Sequence, residues 1–150
     1  MGGESNLRIN RQMKNTNHPD IVKVTAAILV RDEKILIARR GPDDRPADKW
    51  EFPGGKIEAR ETPEQCLRRE MKEEFDIEVS VGRYLGSSIY HYDHISIELL
   101  AYRTYWEGGI IRLKAHDEFR WISPEQFGEF DFAPADRVFI GKIQNREIAI

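Results

Sequence analysis

Between Gly54 and Ile77 the chain reads GGKIEARETPEQCLRREMKEEFDI, a glycine pair running into a helix whose two faces are chemically opposed. Thr62 stands as an N-cap, Pro63 at the first helical position, Glu64 in the first turn and Gln65 three residues after the cap, so several independent signals place the helix start together. At roughly 100° per residue, Leu67, Met71 and Phe75 fall on one stripe, while Glu70, Glu73 and Glu74 gather on another. The first stripe has to pack against other elements, and the second presents carboxylates.

The segments around this helix read mostly as strands. VKVTAAILV from Val22 is β-branched, Arg31-Asp32-Glu33-Lys34 reads as a hairpin turn, and ILIARR returns as a neighbouring strand. Gly41 to Lys49 is a loop with two prolines, expected as a mobile rim over a site, and Trp50 to Phe52 is a short extended piece stopped by Pro53. Further strands are expected near Glu78–Val81, Arg83–Tyr90 and Ile95–Trp106, then a break at Glu107-Gly108-Gly109 and a last strand around Phe119–Ile122. Ser123-Pro124-Glu125-Gln126 repeats the cap-then-proline signature, and Pro134–Ile143 reads as a closing helix with Val138, Phe139 and Ile143 as its apolar stripe. This pattern lacks a regular βαβ rhythm and implies one α/β domain of α+β type, a mixed sheet flanked by helices, over residues 21–150. Residues 1–20 are polar and aperiodic and read as a flexible N-terminal arm.

Composition narrows the function classes. A chain of 150 residues with net charge −3 has no broad basic surface for duplex nucleic acid or an anionic membrane, and a small phosphorylated ligand bridged by cations suits it better. The single cysteine, Cys66, excludes an internal disulfide and a Cys-rich zinc site. Neither a signal peptide nor an apolar segment long enough to span a bilayer is present, and the expected location is the cytoplasm.

Like-charged carboxylates on one helical face repel one another. Two readings accommodate them: a hard divalent cation such as Mg²⁺, which takes oxygen ligands and keeps positions for water and phosphate, or a solvated acidic face neutralised by Arg68, Arg69 and Lys72. Gly54-Gly55 favours the first, because glycine lets backbone groups approach a ligand closely.

The residues then match a family pattern. Gly55, Glu61, Arg69-Glu70, Met71, Glu73-Glu74 and Ile77 stand at the spacings of the Nudix box, which this segment resembles. Asp76 is the departure, where the family has glycine in a left-handed helix exit, a conformation that Asp tolerates better than most residues. The resemblance implies that Glu70, Glu73 and Glu74, with the Gly54 carbonyl, hold Mg²⁺ or Mn²⁺, that Glu70 orients or deprotonates the attacking water, and that Glu61 and Arg69 form a structural ion pair. Many members carry a further carboxylate six residues ahead of the last-strand tryptophan. Ala115 stands there, so a shifted Asp117 or Glu118 is the candidate, with His116 read as a surface or hydrogen-bonding residue.

WEFPGGKIE, Arg39-Arg40, WISPEQF and FAPAD at Phe132–Asp136 are similar to the MutT branch, which cleaves nucleoside triphosphates to monophosphate and pyrophosphate. That similarity implies a nucleoside triphosphate substrate and a monomer or homodimer. Asp136 becomes either a base contact or a plain helix cap. An ionised Asp only accepts hydrogen bonds, which favours an amino edge such as that of cytosine. Arg40 and Lys56 are candidates for phosphate or base contact, each open against a solvated charge, and Phe52 and Tyr90 for flanking the base, each open against a place in the core.

Overall fold

The computed structural model describes residues 20–44 and 47–150, so the expected arm at residues 1–19 lies outside the described residues. Strand β1 (Ile21–Arg31) turns through Asp32 and Glu33, both at positive φ (52° and 64°), into β2 (Lys34–Arg40). Left-handed conformation at both central positions matches the right-handed twist of the flanking strands and closes the hairpin the sequence implies. A two-residue β3 (Trp50–Glu51), then α1 (Pro63–Phe75), β4 (Ile77–His91), β5 (Ser96–Gly109) and β6 (His116–Ile122) follow. The chain closes with 3₁₀ turns at Pro124–Glu129 and Pro134–Asp136 and with α2 (Arg137–Gln144).

The strands form one mixed sheet in the order β3-β2-β1-β5-β4, with β6 also paired to β2. β1 and β5 run parallel; the other pairs are antiparallel. Alternation along β1 serves two cores at once: Ala27 and Leu29 face the layer holding Leu67, Met71 and Phe75 of α1, while Ala26 and Ile28 face Phe127, Phe139 and Ile143. Among the described residues, no helix is long and apolar enough to cross a membrane.

Three local expectations change. The runs at Glu78–Val81 and Arg83–Tyr90 are one strand, because register shifts between Val81 and Tyr84 and between Tyr84 and Gly86 bend β4 without ending its ladder. β5 runs through the expected glycine break to pair Gly109 with Ile77. A Cβ on Gly109 would lie 2.8 Å from the Asp76 carbonyl oxygen, so glycine here permits close approach instead of ending the strand. The α-helix begins only at Arg137, after the 3₁₀ turn, and Val138 is 42% exposed whereas Phe139 and Ile143 are buried. Phe139 and Ile143 are one i, i+4 step apart, and Val138 lies a quarter-turn off that stripe.

Candidate active site

The glycine loop is stitched along β1 before the helix starts. Ala27 N–H donates to Pro53 O (2.7 Å), Thr25 N–H to Gly55 O (2.8 Å) and Ile57 N–H to Lys23 O (3.0 Å), a ladder that fixes the loop backbone. Gly54 sits at φ +155°, and a Cβ there would overlap the Thr25 carbonyl; a Cβ on Gly55 would overlap the Glu70 carboxylate. Only two residues without side chains let this loop lie between β1 and Glu70. The capping box then launches α1: Gln65 N–H donates to Thr62 Oγ1 (3.1 Å) and Thr62 N–H to Gln65 Oε1 (2.9 Å). Its far end is closed by Asp76 at φ 60°, ψ 34°, with its N–H on Lys72 O, the left-handed exit expected in place of glycine.

Arg69 gathers the acids of this helix. Its Nε and Nη2 donate to Glu61 Oε2 (2.6 Å) and Oε1 (3.0 Å), and Nη2 also reaches Lys56 O (3.1 Å), a bidentate clamp between loop and helix. The Arg69 hydrogen bonds hold the Glu61 carboxyl down at about 2, and Glu61 in turn raises the Arg69 guanidinium. Nη1 bridges Glu70 Oε2 (2.9 Å) and the exposed Glu73 Oε1 (3.0 Å). Glu70 is 8% exposed, and its second oxygen, Oε1, is buried with no partner among the described residues. Burial, and then the Glu70 charge, push the Glu74 carboxyl up to about 7.

No three described His, Cys, Asp or Glu side chains converge as a ready ion cage, since Arg69 draws in the oxygens of Glu70 and Glu73. The donor set nevertheless suits a hard divalent cation: an orphaned buried carboxylate oxygen, a neighbouring acid raised by burial and by that carboxylate's charge, and a glycine loop packed against that carboxylate.

Beside the loop opens a cavity of about 420 Å³. Val24, Phe52, Ile97 and Leu99 supply apolar wall, Arg40, Glu51 and Asp136 supply polar groups, and Gly54 and Gly55 form the side nearest Glu70. Asp136, 5% exposed, accepts the Phe52 N–H on Oδ2 (2.9 Å). Burial, and next the Glu51 charge, raise its carboxyl well above the ordinary range, outweighing the Phe52 N–H and Arg40. The fold thus shifts this acid toward its neutral form, whereas the sequence implies an ionised one. Arg40 Nε donates to Glu51 Oε1 (2.8 Å).

Other expected residues fall elsewhere. Phe52 lines the cavity from within the core, packed against Phe127 and Phe132. Lys56 is exposed outside the cavity wall and contributes its carbonyl to Arg69. Tyr90 packs edgewise on Tyr92 (4.6 Å between centroids), and it is Tyr92 that reaches the cavity. Asp117 and Glu118 pair with Arg39 (3.0 and 3.7 Å). A register shift of β6 against β2 at Arg39/Arg40 brings His116, not either acid, into the interior, where its Nε2 meets Glu51 Oε2 (2.7 Å). Glu51 and Tyr92 are the site residues that sequence reasoning missed, and His116, expected as a surface or hydrogen-bonding residue, is hydrogen-bonded but buried. Glu51 carried one usable sign, an acid set between Trp50 and Phe52 in a short strand.

Comparison with known proteins follows the same lines. The NUDIX domain profile matches residues 22–142. A CTP pyrophosphohydrolase of Escherichia coli strain K12 is 39% identical over 116 residues, covering 77% of this chain and 86% of that protein. An 8-oxo-dGTP diphosphatase of the same strain is 35% identical over 119 residues, covering 77% and 92%. Among solved structures, that of the E. coli ORF135 protein superposes with a TM-score of 0.74 at 33% identity, covering 89% of this chain and 95% of that one.

Proposed function

This chain belongs to the Nudix family and is a hydrolase of phosphoric anhydride bonds, and from that premise we propose that it converts a nucleoside triphosphate to the monophosphate and pyrophosphate, with a cytosine nucleotide preferred. The supporting observation is that the carboxylate helix and the apolar cavity meet at Gly54-Gly55, so a base seated in the cavity extends its phosphates toward Glu70. Mg²⁺ or Mn²⁺ held by Glu70, Glu73, Glu74 and the Gly54 carbonyl would supply charge neutralisation for the polyphosphate and acidify the attacking water.

The chain's own groups supply the rest. Glu70 Oε1, buried and unpartnered, is the acceptor that orients the water and takes its proton. The water oxygen bonds to phosphorus, the anhydride P–O bond breaks, and pyrophosphate leaves with the electron pair. Arg69 keeps loop and helix in register through Glu61. In the cavity, a neutral Asp136 offers one donor and one acceptor, the complement of cytosine N3 and N4, whereas an ionised carboxylate offers two acceptors, the complement of the guanine N1–H and N2–H₂ edge. Burial of Asp136 therefore favours cytosine. An ionised acceptor meets the cytosine amino group alone, whereas the neutral acid also supplies a donor for cytosine N3.

A panel of CTP, dCTP, 5-modified dCTP, 8-oxo-dGTP and the unmodified purine triphosphates, with Mg²⁺ or Mn²⁺ and product identification, tests the proposal. The cytosine nucleotides are expected to lead in kcat/KM. Preference for 8-oxo-dGTP would overturn the base assignment, and absence of monophosphate from every triphosphate would overturn the activity in favour of a nucleotide-sensing module.

A further inference from the structure

His116 lies between the end of α1 and a residue that lines the cavity. The ring is 4% exposed and rests on Phe75 at the end of α1, with centroids 5.2 Å apart and planes at 32°. Nε2 meets Glu51 Oε2 at 2.7 Å, and Nδ1 is buried without a partner among the described residues. A ring placed there only to fill space would do better as a hydrocarbon, which leaves no nitrogen unsatisfied. The burial of this imidazole is thus directed at a single contact. That contact uses one oxygen of Glu51, and the other takes Arg40 Nε at 2.8 Å. With Nε engaged, the Arg40 guanidinium is fixed in plane, and among the described residues neither of its Nη atoms has a hydrogen-bonding partner, although Arg40 lines the cavity.

We infer that His116 is a positioning residue which, through Glu51, aims the two Nη groups of Arg40 into the nucleotide cavity. His116 directly follows Ala115, the position at which this chain lacks the family's further carboxylate, and it serves the base side of the site through Glu51. The chain of contacts runs from Phe75 at the end of the carboxylate helix, through His116 and Glu51, to Arg40 in the cavity wall. Arg40 donates to the nucleoside, and the loss of His116 frees Glu51 to swing and Arg40 with it. This inference rests on the nucleotide reading above.

The test separates the base side from the phosphate side by measuring CMP and pyrophosphate binding calorimetrically in Mg²⁺, for wild type, H116F and H116Q. H116F keeps the ring against Phe75 and removes the donor; H116Q returns an amide donor near the same place. H116F is expected to weaken CMP binding about tenfold, the scale of one hydrogen bond to a charged group, with pyrophosphate affinity unchanged and H116Q restoring most of the loss. If H116F does not fold, H116N, whose amide is too short to reach Glu51, carries the same expectation. Unchanged CMP affinity in these variants, or equal losses for CMP and pyrophosphate, would overturn the role of His116 alone. A wild type that binds pyrophosphate but not CMP would overturn the cytosine reading, and this inference with it.

Discussion

The carboxylate side of the site comes from one uninterrupted stretch, Gly54 to Ile77, whereas the cavity beside it draws Arg40 from β2, Glu51 from β3, Tyr92 from the β4–β5 connection and Asp136 from the turn before α2. The first is held by local contacts: a capping box, an Arg69 clamp spanning eight residues to Glu61, and a loop laddered onto β1. The second is held by bonds across long separations, such as Phe52 to Asp136 and His116 to Glu51. On the function proposed above, chemistry would reside in a self-contained unit and selectivity in a surface that the whole fold assembles. Changes on one side should leave the other's property intact.

The sharpest break should come from Glu73, which is exposed and packs against nothing in the core. E73Q is expected to lower turnover by about 10²–10³-fold, the scale of losing one preorganised charge at a reacting centre, with an unchanged melting temperature and an unchanged order of preference among bases. A normal rate would remove Glu73 from the reaction. Next in size is G54A, which forces a Cβ into the Thr25 carbonyl and should destabilise the fold by about 1–3 kcal/mol. Equal thermal melts for G54A and wild type would show that the loop is not pinned to β1.

The raised Glu74 makes metal affinity depend on pH. A carboxyl titrating at about 7 is largely protonated below that pH and must release its proton to bind a cation. Mn²⁺ affinity measured by titration calorimetry should weaken by up to about tenfold per pH unit below 7 and level off above it. A flat profile from pH 6 to 8 would contradict the raised Glu74 carboxyl.

The smallest effect tests the cavity. The Asp136 carboxyl titrates higher in the fold than in the unfolded chain, so the fold keeps a proton that the unfolded chain gives up. Its stability is whole below the ordinary carboxylate range and declines as pH rises toward the folded value. D136N removes that decline while keeping an acceptor for Phe52 N–H and a donor for the base. The variant should melt higher than wild type near neutral pH, converge with it in acid, and still favour cytosine nucleotides. A lower melting temperature at neutral pH would mean that Asp136 is ionised in the fold.

The same contrast decides what could be read before the structure. The cap at Thr62, the Leu67–Met71–Phe75 stripe, the exit at Asp76 and the turn at Asp32-Glu33 are written in neighbouring residues, and each forms as the local pattern implies. The continuity of β4 and β5 is not, because register shifts depend on the partner strand and not on the glycines alone. Asp117 and Glu118 were the obvious acids near the last strand. The shift at Arg39/Arg40 that turns His116 inward is set by pairing between segments far apart in the chain. The shift of Asp136 toward its neutral form was equally hidden, since it is set by burial and by Glu51, Phe52 and Arg40, from segments around β2 and β3 that no local pattern places beside it.

The central claim is that the carboxylate helix hydrolyses an anhydride of a nucleotide whose base sits in the adjoining cavity. Its most direct test is the product ratio from CTP and Mg²⁺ in wild type and E73Q, resolved by anion-exchange chromatography. CMP and pyrophosphate in equal amounts from wild type, with almost none from E73Q, is the predicted result. CDP with phosphate, or an E73Q rate equal to that of wild type, would contradict it.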